Sequence, residues 1–546
     1  MGAIRHILAL TVCALVCTAS HAVKMRSVPG SGAYALSAER DNPVLWQQPD
    51  ASPRTKAVAP GGYANRDIPR TGQHEYLVIL VEFSDRHFSI TDKNQLLSTY
   101  ESFFNGRGRT DNARHIYKDE YVYYGATGSV SEYFIDQSFG KYEPSFRIIG
   151  PIRVSKGYAH YGANRLLSED IGIKELVREV YDSVVARGDV NLDLYATNGN
   201  IDQFPFIYAG RGENYPNSDA STLYPQADTL RNWRGRNISF ACTCELFWDS
   251  YDILDGIGTF CHEFSHLLGL PDFYNVSSHS DSNNNAAMGF WSLMDYGNYE
   301  NLGFSPVGYT AFERYCMGWM DIEEITAPGH YVLDDISLEP DPAAGIHTAY
   351  RINTGREDDF IILENHIRTG WYNYHASEGL MVTAVSYDHN AWVSNTVNSN
   401  SSYKRYRILP ADNTYDRFSN AGDLYPNLTT DSITPKGLPK LQAGSSIPEY
   451  SIYRIRMSGN KMLFYVGHDA ASKLTSPAAD EIAVSLINGA VEVNAPVGSR
   501  VSIHDLSGKP VIETATTEPV QYFDLPGAGF WIVRCGEVTR KLKNEN

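Results

Sequence analysis

The stretch Gly258-Thr259-Phe260-Cys261-His262-Glu263-Phe264-Ser265-His266-Leu267-Leu268-Gly269-Leu270-Pro271-Asp272 constrains this chain more than any other. Ile257, Phe260, Phe264, Leu267 and Leu268 recur at helical spacing, so the segment from about Leu254 to Leu268 reads as a buried helix. His262 and His266 then project from one face and can share a tetrahedral zinc ion. Glu263 lies one residue round the helix, near the metal but off its axis, where it can act as general base without ligating. Gly269 ends the helix in a left-handed conformation that glycine adopts cheaply. Pro271 cannot continue it, and the returning chain brings Asp272 in as a third, oxygen ligand. Two nitrogens and one carboxylate leave a coordination position open, the mark of a catalytic rather than a structural zinc. A third ligand from Glu300 or Glu313 is the alternative.

Around this helix the chain alternates strands and helices. Tyr76–Phe83 is a continuous apolar run, as in a central strand buried on both faces. Helices follow at 96–104 and 129–139, with Ser129 or Ser131 as cap, and strands at 146–154 and 203–209. The clearest amphipathic helix runs from Ile173 to Ala186 and stops at Gly188. The sheet offers an edge on which an extended peptide can pair. Downstream, Met294 sits in Gly289-Phe290-Trp291-Ser292-Leu293-Met294-Asp295-Tyr296-Gly297, a tight turn like that of metzincin-type peptidases. Its thioether is expected as a hydrophobic floor below the ligands. Tyr296 is a candidate donor to a developing oxyanion, with plain packing as the other reading.

Leu77–Ser84, Ser131–Lys141, Phe206–Gly210, His262–Tyr274 and Trp291–Gly297 resemble successive blocks of the immune inhibitor A family of secreted bacterial zinc metallopeptidases. The likeness continues through Gly303–Pro306, Met317-Gly318-Trp319, Ile361–Asn365, Gly370-Trp371 and Ala411-Asp412-Asn413. It implies an endopeptidase acting on proteins, with His262, His266 and Asp272 as zinc ligands and Glu263 as base. It also implies structural calcium, for which Asp272, Asn275, Asp281 and Asn283 are candidates; that loop reads equally well as a solvated insertion. Ser265 stands where the family commonly has glycine, on the side facing away from the metal.

The expected fold class is α+β: a metzincin-like catalytic domain at 73–325 with a mixed twisted sheet, a backing helix and the active-site helix. A β-rich domain follows at 326–470, in which Trp371, Tyr372, Tyr374 and Trp392 read as packing residues before a carbohydrate or peptide surface. A β-sandwich is expected at 474–546, with about seven short strands. Ile503–Lys509 and Gly527–Val533 resemble the C-terminal sorting domain of type IX secretion cargo, which implies passage through gram-negative outer-membrane machinery. Residues 1–22 read as an export signal and 23–72 as a propeptide or linker, with Asp41, Asp50 and Asp67 able to block a metal. No later stretch is long and apolar enough to span a membrane.

A formal net charge of −18 argues against nucleic acid or anionic membranes as partners. Five cysteines follow the leader, an odd number; Cys242 and Cys244 read as packing residues or one disulfide partner. The second function class to weigh is an exported adhesin that keeps the fold without the activity.

Overall fold

A computed structural model describes residues 69–106, 126–164, 170–215, 221–247, 254–276, 287–356, 358–400, 403–414, 421–427, 430–434, 450–467, 482–487, 490–517 and 520–544. The export signal, Asp41, Asp50, Asp67, Asp281 and Asn283 lie outside the described residues.

Strand β1 (Gly72–Glu82) has an apolar run because both of its faces are covered. Tyr76, Val78 and Leu80 join the core containing Phe260 and Phe264. Leu77, Ile79 and Val81 join a second core with Leu176, Val177 and Val180. Helices α1 (Lys93–Asn105) and α2 (Val130–Gln137) precede β2 (Tyr142–Arg153). Ser129 caps α2 in a reciprocal box with Glu132, two orphan donors satisfied at once. Helix α3 (Ile173–Arg187) buries one apolar stripe and stops at Gly188, in the left-handed region.

Strands β3 (Asn200–Arg211), β4 (Gln226–Trp233) and β5 (Arg236–Leu246) extend a sheet in the order β2-β1-β3-β5-β4, with the short strand Ala196–Thr197 pairing β3 off this path. The first four strands in that order are parallel, and edge strand β4 pairs antiparallel to β5. The unit is thus mixed α/β. Sequence patterning does not predict the β4–β5 hairpin. Residues 238–246 are buried throughout, so no polar–apolar alternation marks β5.

Helices α4 (Ile257–Leu268) and α5 (Ala311–Met317) follow. All of α4 is buried, and it begins against the turn at 297–303. A β-carbon on Gly258 would lie 1.8 Å from the Asn298 carbonyl oxygen, and one on Gly256 2.1 Å from the Gly303 carbonyl carbon. Because both obstacles are backbone, Gly258→Ala is expected to cost about 3 kcal/mol of stability. Chemical denaturation giving a loss well under 1 kcal/mol would contradict this close-approach role.

Beyond residue 325, β6 (Ala349–Arg356), β7 (Asp359–His366), β8 (Gly379–Ser386) and β9 (Tyr406–Ile408) form a second sheet, ordered β9-β8-β7-β6, with Glu323–Glu324 pairing parallel to β6 at its edge. Strand β7 is buried on both faces. Phe360 and Ile362 enter the core that contains α4, while Ile361 and Leu363 pack with Leu333, Phe464 and Val466. One hydrophobic core therefore crosses the boundary drawn at 325. Trp371, Tyr372 and Trp392 are buried in it, as packing residues.

Among the described residues of 483–544, seven strands form two antiparallel sheets around a separate core that includes Val491, Val501, Ile503 and Val533. The hydroxyl of Tyr522 bonds the His330 ring at 2.9 Å, tying this unit to the β-rich one. Cys242, Cys244, Cys261, Cys316 and Cys535 are all buried free thiols, so their role is packing. Among the described residues no helix is long and apolar enough to cross a membrane.

Candidate metal centre

Helix α4 is held from below by aromatic packing. Phe260 and Phe264 stack at 5.7 Å between ring centroids, and Phe264 meets Tyr76 edge-on at 5.2 Å. Gly269, at φ 107°, ends the helix with two reversed bonds. Its N–H donates to the His266 carbonyl and that of Leu270 to the Ser265 carbonyl, a Schellman arrangement. The same reversal sets the Leu270 carbonyl against its own helix, 2.8 Å from His266 Nδ1. His262 Nδ1 meets the Leu293 carbonyl, also at 2.8 Å. Each imidazole thus uses Nδ1 on a backbone acceptor and presents Nε2 to the other side.

That other side is where Asp272 arrives. Its Oδ1 lies 3.1 Å from His262 Nε2 and 3.3 Å from His266 Nε2. The three side chains, all buried, form the one such donor group among the described residues, with ligand atoms within 4.8 Å of one another. Neutral imidazoles already donating through Nδ1 would turn lone pairs on a carboxylate at these distances. Two doubly protonated rings, or a shared cation, remove that repulsion. Two donors bonded to one tetrahedral ion at ~2.1 Å sit about 3.4 Å apart, so the donor set fits zinc.

The electrostatics agree with a mutually stabilised cluster. Burial alone would raise Asp272, but the two imidazoles outweigh it and hold the carboxyl well below the usual carboxylate range. Burial likewise lowers His266, and Asp272 with the Leu270 carbonyl reverses the effect to a net rise. Glu263 differs: burial pushes it up to about 8, with His262 opposing and Asp272 adding. Its Oε2 is buried and has no hydrogen-bond partner. A carboxylate set beside the donor group but left unsatisfied fits proton transfer better than ligation.

Glu263 and His262 line a cleft with Tyr224, Pro225, Tyr296 and Tyr299 among its walls. The structure therefore brings Tyr296 to the same cleft, packed 6.0 Å from the Phe290 ring. Met294 is fully buried, and its carbonyl accepts from Phe273 N–H at 2.8 Å, next to Asp272. Turn 292–297 thus touches the site through two successive carbonyls, those of Leu293 and Met294.

Glu300 and Glu313, the alternative third ligands, are not in the donor group. The Glu313 carboxylate instead accepts from Thr310 N–H at 2.7 Å and Ser292 Oγ at 2.6 Å, bracing the turn from α5. Ser265 turns to the Cys261 carbonyl at 2.6 Å and to the Tyr309 hydroxyl. Of the calcium candidates, Asp272 Oδ1 faces the histidines and its Oδ2 accepts from Asn395. Asn395 escapes sequence reasoning altogether. It lies 123 residues away in a polar loop whose local sequence carries no metal-site signal.

Residues 66–215 and 245–320 match the family described as immune inhibitor A peptidase M6, catalytic domain. The chain is 25% identical over 284 residues to a pre-pro-metalloprotease, PrtV, of Vibrio cholerae serotype O1, covering 45% of this chain and 30% of that protein. It is also 25% identical over 296 residues to immune inhibitor A of Bacillus thuringiensis subsp. alesti, covering 46% of this chain and 41% of that one. The chain thus spans less than half the length of these relatives. The segment carrying the two histidines, Glu263 and Asp272 is similar to the peptidase M6 catalytic domain, and the matches together support a metallopeptidase of that family.

Proposed function

We propose that this chain is an exported zinc-dependent endopeptidase, with His262, His266 and Asp272 holding the metal. The observation that carries the reading is the convergence of two Nε2 atoms, their Nδ1 atoms tied to carbonyls, on one carboxylate oxygen. A zinc ion held there supplies a Lewis acid that polarises a scissile carbonyl and acidifies water. Glu263 takes the proton of the attacking water and delivers it to the departing amine, so proton and leaving group balance within one turnover. Tyr296 donates toward the oxyanion from the cleft wall.

Tyr224 and Pro225 line the cleft and lead directly into edge strand β4. An extended substrate pairs along that edge and delivers its peptide bond to Glu263. Export by the leader, latency through segment 23–72 and sorting by the C-terminal sandwich complete the proposal. The pre-pro form named for the Vibrio relative supports the first two.

The test is hydrolysis of a casein-type substrate with and without a zinc chelator. The expected result is activity that the chelator abolishes and added zinc restores. A metal-replete chain that binds protein without cleaving it would favour the adhesin instead.

A further inference from the structure

We infer that Asn395, supplied by the β-rich unit beyond the segment that matches the peptidase family, positions Asp272 as a one-oxygen metal ligand. The two units therefore build the metal site jointly. This inference rests on the proposed zinc site and adds to it the residue that orients its third ligand.

Two bonds join Asn395 to the same residue. Asp272 N–H donates to Asn395 Oδ1 at 2.8 Å, and Asn395 Nδ2 donates to Asp272 Oδ2 at 2.7 Å. The first settles how the amide is turned: a backbone N–H can only donate, so the amide oxygen must face it. The NH2 group is then left to face the carboxylate. With Oδ2 engaged by this charge-assisted bond, Oδ1 is the oxygen presented to both histidines.

The fold shapes this contact. Asn395 takes φ 53° just after the short helix α6 (His389–Val393), a conformation asparagine tolerates and most side chains do not. Asn398 repeats the grip one residue further along, its Nδ2 donating to the Phe273 carbonyl at 2.6 Å and its Oδ1 accepting from Arg405 and Tyr406. The strap behind Pro271 is thus tied at consecutive residues to the second unit.

Asn395→Gly in the full chain keeps the left-handed backbone and deletes only the amide. Zinc affinity, measured by competition with a chromophoric chelator, should fall about 10–100-fold. The metal-free chain should lose some thermal stability too, because Asp272 N–H and Oδ2 lose buried partners, and the visible spectrum of the cobalt-substituted chain should change as Asp272 is freed to rotate. Asn395→Asp keeps the acceptor for Asp272 N–H but sets a second carboxylate against Oδ2, so it should lose affinity too. Zinc held as tightly by both variants as by wild type, with an unchanged cobalt spectrum, would overturn the inference alone. So would a loss confined to the metal-free midpoint, which is what a purely structural tether gives. Wild-type chain that held no zinc would overturn the zinc reading and this inference with it.

Discussion

Replacing Glu263 by glutamine is expected to lower peptide hydrolysis by about 10²–10⁴-fold while zinc stays bound at one ion per chain. The amide has the shape of the carboxylate but cannot accept the proton that the attacking water must lose. Glu263 lies outside the three-residue donor group, so the metal should not notice the change. Nor does the change break a bond at Oε2, which has no partner to lose. Rates on a quenched-fluorescence peptide, paired with metal analysis of the same sample, make the measurement. Near wild-type turnover in zinc-loaded Glu263→Gln would remove Glu263 from the mechanism.

His266→Ala should abolish hydrolysis by a different route, by emptying the site. It deletes one of two nitrogen donors and leaves Asp272 facing His262 alone. The Leu270 carbonyl also loses its donor, at a stability cost of about 1–3 kcal/mol. The pair of variants is diagnostic because only one of them changes metal content. Hydrolysis should fall steeply in both, and zinc should be retained by Glu263→Gln and lost from His266→Ala. One zinc per chain in purified His266→Ala would mean that the ion sits elsewhere.

Much of the scaffold is legible along the chain because its causes are local. The helix at 173–187 follows from the stripe Leu176, Val177, Val180, Tyr181 and Val184, and ends at a glycine in the left-handed region. Strand β1 follows from an apolar run that needs cover on both faces, which the two cores supply. Strand β5 is less legible although its residues 238–246 are equally buried, because Ala241, Cys242, Thr243 and Cys244 carry no strong strand signature. The boundary drawn at 325 follows a change of sequence vocabulary. Burial follows shape instead, and Phe360 and Ile362 pack into the same core as Phe264.

At the site itself, helical geometry alone sets His262 and His266 on one face, and the glycine-proline bend alone returns the chain toward them; both are properties of fewer than twenty consecutive residues. The tertiary structure decided the rest: the Leu293 carbonyl that orients one imidazole, Glu313 bracing the turn that carries it, and Asn395 reaching Asp272 across 123 residues. Hydrogen-bond donors and acceptors leave no periodic trace in sequence, so contacts made through space by isolated polar groups become visible only once the chain has folded.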